Sequence, residues 1–414
     1  MTGGLGGSAG SSHDLTRQLE EPTAKSDTGA EADRERLRSQ LKVRVLESLA
    51  SQGLRVEQGR CTLEVADKAA VRALHRQARA AWIERAWPAL ERHERRLLRC
   101  FAAGSEVEPG RIAPRLVQVT RGSEEELLFR YARLTWSIPV SPGYGRRLRY
   151  LVVDEHNGKL IGLFGLGDPV FALAPRDRWV GWDVTNRQAR LRHVMDAFVL
   201  GAVPPYASLL CGKLVAMLAT STQVQRAFAL KYGGQHGRIS QRSFDGRLAL
   251  LTTTSALGRS SLYNRLRYGG RRVYEPVGST SGSGEFHFSN GLYAELIAYA
   301  QEYCAPSAKH TAWGNGWRNR REVIRRVLGD LGLSQDLLYH GVEREVFVAP
   351  LASNAREFLR GEQEQLEPGG ASAFDLFEHF RTRWLLPRAQ RIASYREFDP
   401  VSLRLGGEAL THGR

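Results

Sequence analysis

Residues 148–167 read LRYLVVDEHNGKLIGLFGLG. Two β-rich runs flank Asn157-Gly158, a pair suited to a type I′ turn because both central positions need positive φ. The stretch therefore predicts an antiparallel hairpin. Before it, RLVQV (115–119) and LLFRYARLTWSIPV (127–140) read as strands. After it come a strand, FVLGAVPP (198–205), and a helical ASLLCGKLVAMLAT (207–220). A strand LALLTTTSA (248–256), a Ser-led helix start SSLYNRL (260–266) and a strand RVYEPVGST (272–280) follow. A hairpin followed by alternating strand and helix predicts an α/β domain with a mixed central sheet, placed here at residues 111–300.

The flanks read differently. Leu37, Leu41, Val45 and Leu49 repeat every four residues, and Trp82, Trp87, Leu90 and Leu97 continue a similar stripe. Residues 34–110 are therefore expected as a helical N-terminal region. Residues 1–33 offer almost nothing to bury, the composition of a disordered tail. Residues 301–414 read as a mainly helical C-terminal region, through REVIRRVLGDLGL, SNAREFLRGEQEQL and FDLFEHFRTRWLLPRAQRIASY.

Composition narrows the partners. The chain has 414 residues, 42% of them hydrophobic, enough for a real core. Its 59 Lys+Arg against 44 Asp+Glu leave a net charge of +15. Such an excess points to a polyanion, since clustered cations release condensed counterions when they neutralise phosphates; a solvated basic surface is the alternative. Cys61, Cys100, Cys211 and Cys304 form no C-x-x-C pair, so neither a zinc site nor a disulfide framework is expected. No apolar run approaches the roughly 20 residues of a membrane span, and MTGGLGGSAGSSHDL has no signal-peptide pattern. A cytoplasmic protein without membrane contact is the expectation.

Three segments carry candidate chemistry. RDRWVGW (176–182) combines Arg176, Arg178, Trp179 and Trp182 with Asp177. It suits phosphate and base contact, or equally an Arg–Asp pair covering two tryptophans. LGRSSLYNRLRYGGRR (257–272) interleaves Arg259, Asn264, Arg265, Arg267, Arg271 and Arg272 with Tyr263 and Tyr268, a basic–aromatic pattern that fits nucleic acid; a solvated basic helix is the alternative. GSTSGSGEFHF (278–288) follows a strand but matches neither phosphate-loop signature, and its His287 could act as acid or base. Tyr263, Asp177 and His287 are the candidate catalytic residues. Asp154, Asp177, Asp183 and Asp196 could imitate the carboxylates of an RNase H-like metal-dependent nuclease, provided that they converge on two ions about 4 Å apart. No cofactor is assigned.

In this order, LRYLVVDEHNGKLIGLFGLGDPVF, RDRWVGW, DAFVLGAVPPYASLLCGKLVA, TTTSALGRSSLYNRL and GSTSGSGEFH resemble the DruA-like family, a component of Druantia anti-phage defence systems. GVEREVFVAPLASNAREFLRGE and RTRWLLPRAQR resemble the same family's tail, so the likeness runs from about Arg111 to Arg391. It implies a role in bacterial defence against phage, beside a helicase-like partner, DruE, and it supplies no reaction. The element order is also similar to that of N-acetyltransferases. That second likeness implies a transferase modifying a nucleobase or protein, with acyl-CoA on the helix opened by Ala207 and Tyr263 or Tyr268 as acid. PPYASLLCGK stands where that superfamily carries [QR]-x-x-G-x-[GA], and proline has no N–H to offer a phosphate.

Overall fold

The computed structural model describes residues 25–406, apart from 64–66, 142, 237–242, 290, 307–312, 314–316 and 368. The stretch expected as a tail lies outside the described residues up to residue 24, and from there the helix Lys25–Ser51 begins. The class is α/β. Among the described residues, seven strands form the central sheet: β1 (Pro114–Gln118), β2 (Arg147–Asp154), β3 (Lys159–Gly167), β4 (Val194–Ala202), β5 (Leu250–Thr254), β6 (Glu275–Ser279) and β7 (Glu345–Pro350). Their spatial order is β6-β7-β5-β4-β3-β2-β1. Only β4 and β5 pair in parallel; the other neighbours are antiparallel. β7 comes from the stretch read as mainly helical and enters between β5 and β6.

Both faces are covered. On one, the helix Cys211–Leu218 packs against β3 and β4, and it is apolar nearly all round because the helix Ala373–Phe380 covers its outer side. On the other lie the helices Glu124–Ala132 and Ala174–Val180. A separate core joins Leu41, Val45 and Leu49 of the N-terminal helix to Leu292, Leu296, Val323 and Val327 of two later helices. No helix among the described residues is long and apolar enough to cross a membrane.

Local chemistry corrects three expectations. Residues 127–140 are not a strand: Ser123 caps a helix through Glu126 N–H, and Glu124, Glu125 and Glu126 complement its dipole. RDRWVGW, whose short Arg- and Trp-rich run reads as a loop or strand entry, lies instead largely in the helix Ala174–Val180, closed by Gly181 at φ 78°. The β2–β3 hairpin forms, but not through a two-residue turn. Its loop spans 155–158, and of the pair only Gly158 has positive φ. Asn157 is held otherwise, its amide donating to the Glu106 carbonyl at 3.0 Å and to the Tyr206 hydroxyl at 2.9 Å. The type I′ geometry appears instead at Gly269-Gly270, φ 54° and 77°, joining Arg267–Tyr268 to Arg271–Arg272.

The hairpin's anchor is a buried hydrogen bond: the Tyr206 hydroxyl donates to Asp154 at 2.9 Å, whose other oxygen accepts from Ala113 N–H. Tyr206→Phe leaves that carboxylate short of a donor and is expected to cost about 1.5–3 kcal/mol, read as a lower urea midpoint with an unchanged slope.

Candidate functional site

The segment 176–182 resolves into a structural hub. Arg176 is fully buried; its guanidinium meets Asp177 at 2.7 Å and donates to the carbonyls of Val170 and Phe171. Asp177 also accepts from Trp182 Nε1 at 3.2 Å, Leu173 N–H at 3.0 Å and Arg187 at 3.1 Å. All its lone pairs face donors, so Asp177 has no room to act as an acid or base, and Arg176 is closed to a polyanion. Trp182 is half-buried beneath the Arg176 guanidinium.

Outside this hub lies a groove of about 880 Å³, lined by Trp179, Arg267, Arg271, Arg272, Glu275 and Arg356 among others. Trp179 is fixed there by its indole N–H, which donates to Glu275 at 3.1 Å, and by Arg356 stacked 5.1 Å from its ring. The hairpin turned by Gly269-Gly270 carries three of these arginines, all exposed. Among the described residues no carboxylate pairs with Arg267, Arg271, Arg272 or Arg356. The groove thus gathers Trp179 and Arg267 of the expected contacts and adds Arg356, which no local pattern marks. Arg178 and Arg265 are exposed nearby in sequence without lining it. Arg259 lies toward the opposite end of the sheet, and Asn264 is engaged with the Ser260 carbonyl and Glu345.

A second cavity opens where β4 leaves β5. Their pairing runs only from Val194↔Leu250 to Asp196↔Thr252. Beyond it β4 follows β3 and β5 follows β7, leaving a cleft of about 550 Å³. Asp196 lines it; burial raises its carboxyl to about 6, against the pull of the Thr252 hydroxyl, which donates to it at 2.7 Å. Tyr263 lines the same cleft, packed on Tyr274 and Phe347, its phenol pushed up by burial to about 12. Arg344 closes one wall, with a buried Nε that has no partner. Gly165 makes room for the Phe198 ring: a Cβ there would lie 2.4 Å from it.

His287 is far from both. It is buried against Phe286 and His340, donates to the Leu337 carbonyl at 2.8 Å, and is lowered to about 4 by burial. Its ring packs against Phe286, Phe288 and His340. The aspartates do not converge either: Asp154 ties the hairpin, Asp177 the hub, and Asp183 caps the helix Val184–Arg190. Among the described residues no three His, Cys, Asp or Glu side chains form a metal-holding group. Ala207 opens no helix: it lies in the short turn Tyr206–Leu209, and the α-helix begins at Cys211.

The profile of the family described as Druantia protein DruA matches residues 66–361. The chain belongs to the DruA family. The Druantia protein DruA of Escherichia coli (strain UMEA 4076-1) is 44% identical over 360 residues, covering 86% of this chain and 89% of that protein. As a DruA-family protein it is a component of an anti-phage defence system. No solved structure matches.

Two outcomes follow for the buried charges of this DruA-family chain. Arg176→Met breaks the buried pair and is expected to cost about 3 kcal/mol while leaving polyanion affinity of the folded protein unchanged, as calorimetric melting and a binding titration read. His75, His193, His287 and His340 are all neutral in the fold, burial lowering them to about 3 or 4. Below about pH 6.5 the unfolded chain therefore binds more protons, so stability falls with pH, by about 2 kcal/mol per histidine at pH 5. Asp196 and Glu285, whose carboxyls burial raises, work in the opposite direction, but they are two groups against four. Denaturant midpoints at pH 7 and pH 5 check the sign.

Proposed function

We propose that this chain binds nucleic acid, most simply DNA, in the arginine groove and acts beside a helicase-like partner of the same defence system. One observation carries the reading: a cluster of exposed guanidinium groups without carboxylate partners around a half-buried tryptophan. Cations held close together repel one another and are costly unless an anion joins them. Guanidinium groups match phosphate oxygens, and a net charge of +15 steers a polyanion toward them. The partner is supported by family membership alone. Titration of labelled DNA should show a log–log salt slope of about 0.9 per phosphate contacted, and the double change Arg271→Gln, Arg272→Gln should lower it by about 2. A salt-independent affinity would overturn the reading.

A second reading rests on the sheet. Its order, with β4 and β5 parallel and parting, and with β7 between β5 and β6, supports an N-acetyltransferase-like shape whose cleft presents Asp196 and Tyr263. Acyl-CoA does not fit the place that shape implies. Pro204 and Pro205 have no N–H, and Ala207, Ser208, Leu210 and Lys213 direct theirs to the carbonyls of Val203, Pro205, Ala207 and Leu210. Calorimetric titration with acetyl-CoA is expected to show no saturable binding; micromolar binding would restore the transferase alternative.

A further inference from the structure

We propose that the groove is one end of a track for duplex DNA, which crosses the end of the sheet to a second basic pocket beyond β1 and β2. The inference rests on the nucleic-acid reading above. Strand directions bring its parts together: Gln118 closes β1, Arg147 opens β2, Val194 opens β4, Leu250 opens β5, Glu275 opens β6 and Pro350 closes β7. The ladder registers put all of these at one end of the sheet.

The second pocket, of about 510 Å³, occupies that end at the opposite edge from the groove, lined by Arg121, Arg146, Arg147, Arg149 and Lys231. Asp168 holds Arg146 and Glu126 holds Arg149, each at 2.7 Å. Among the described residues no carboxylate pairs with Arg121, Arg147 or Lys231; the Lys231 ammonium donates to the Arg147 carbonyl at 2.9 Å. The crowding has a cost: desolvation and then the neighbouring Arg149 hold the Lys231 pKa below its usual value. Between the two pockets, Arg192 precedes β4, stacked 5.3 Å from the Phe244 ring and also without a carboxylate. Nearby, Asp245 is engaged with Arg247 and Glu364 with Arg190. Glu275 and Glu357 are the carboxylates among the residues lining the two pockets. Against them stand Arg267, Arg271, Arg272 and Arg356 in the groove and Arg121, Arg146, Arg147, Arg149 and Lys231 in the second pocket, so cations predominate at both edges of this end.

Length selects the ligand. Six interstrand steps of about 4.8 Å span about 29 Å, which is about nine base pairs at 3.4 Å each. Two anchors fixed on a rigid sheet suit a stiff rod, and duplex DNA stays straight over about 150 base pairs. A single strand would lose conformational freedom between the anchors.

The test measures binding of DNA hairpins with stems of about 5 and about 12 base pairs and one common loop, over a range of salt. The full chain is compared with the triple variant Arg121→Gln, Arg147→Gln, Lys231→Gln. The long stem should bind at least about tenfold tighter than the short one. The triple variant should remove that advantage and lower the long-stem salt slope by about 3, leaving the short stem unaffected. Should the triple variant melt early, Arg121→Gln alone, at an exposed side chain, should lower the long-stem slope by about 1. Equal affinity for both stems, or an equal effect on both, overturns the track while the groove stands. A single strand of the long-stem length that binds as tightly, with the same sensitivity to the variant, overturns the duplex. Failure of every DNA to bind overturns the nucleic-acid reading itself, and the track with it.

Discussion

The insertion of β7 between β5 and β6 is the constraint on which the rest of the molecule depends. The ladder joins Val346–Pro350 to Leu250–Thr254 on one side and Glu345–Val348 to Glu275–Ser279 on the other. It supplies the partner that β5 lacks after parting from β4, so the cleft can open without leaving β5 unpaired on both edges. It also brings Arg356, just beyond its end, against Trp179. Cleft and groove are two consequences of one strand.

Electrostatics divides the arginines into two populations. Arg176, Arg187 and Arg146 are tied to Asp177 and Asp168, where desolvation demands a partner. Arg267, Arg271, Arg272, Arg147 and Arg121 are solvated and have none. Among these eight, burial, not residue type, separates guanidinium groups that hold the fold from those free to meet an anion. The sequence RDRWVGW looked like a contact surface because both populations use the same residues.

Much of the sheet was legible. Local alternation and the Ser260 cap place β2, β3, β5 and the short helix Ser261–Asn264 within a few residues of their bounds, since those signals act over one turn or one strand. The helix Glu124–Ala132 was missed because its apolar run resembles a strand, while the three glutamates that define its start precede that run. Of the groove's lining, Trp179 and Arg267 lie in the two Arg–aromatic segments that the sequence singles out. Arg356 and the place of Asp196 in the cleft were not legible. Arg356 reaches the groove through the ladder of β7 with β5, and Asp196 enters the cleft through its pairing with Thr252, 56 residues on; local periodicity says nothing about such distant pairings.

The late arrival of β7 also shapes how the chain is made. A ribosome releases residues 250–279 well before residues 345–350, so during synthesis β5 and β6 exist as separate strands with open edges. Open edges are templates for pairing with foreign chains, and pairings so distant in sequence close slowly. Until the missing strand emerges, the nascent protein depends on its other core, around Leu292 and Leu296, and on whatever in the cell shields unpaired backbone from its neighbours.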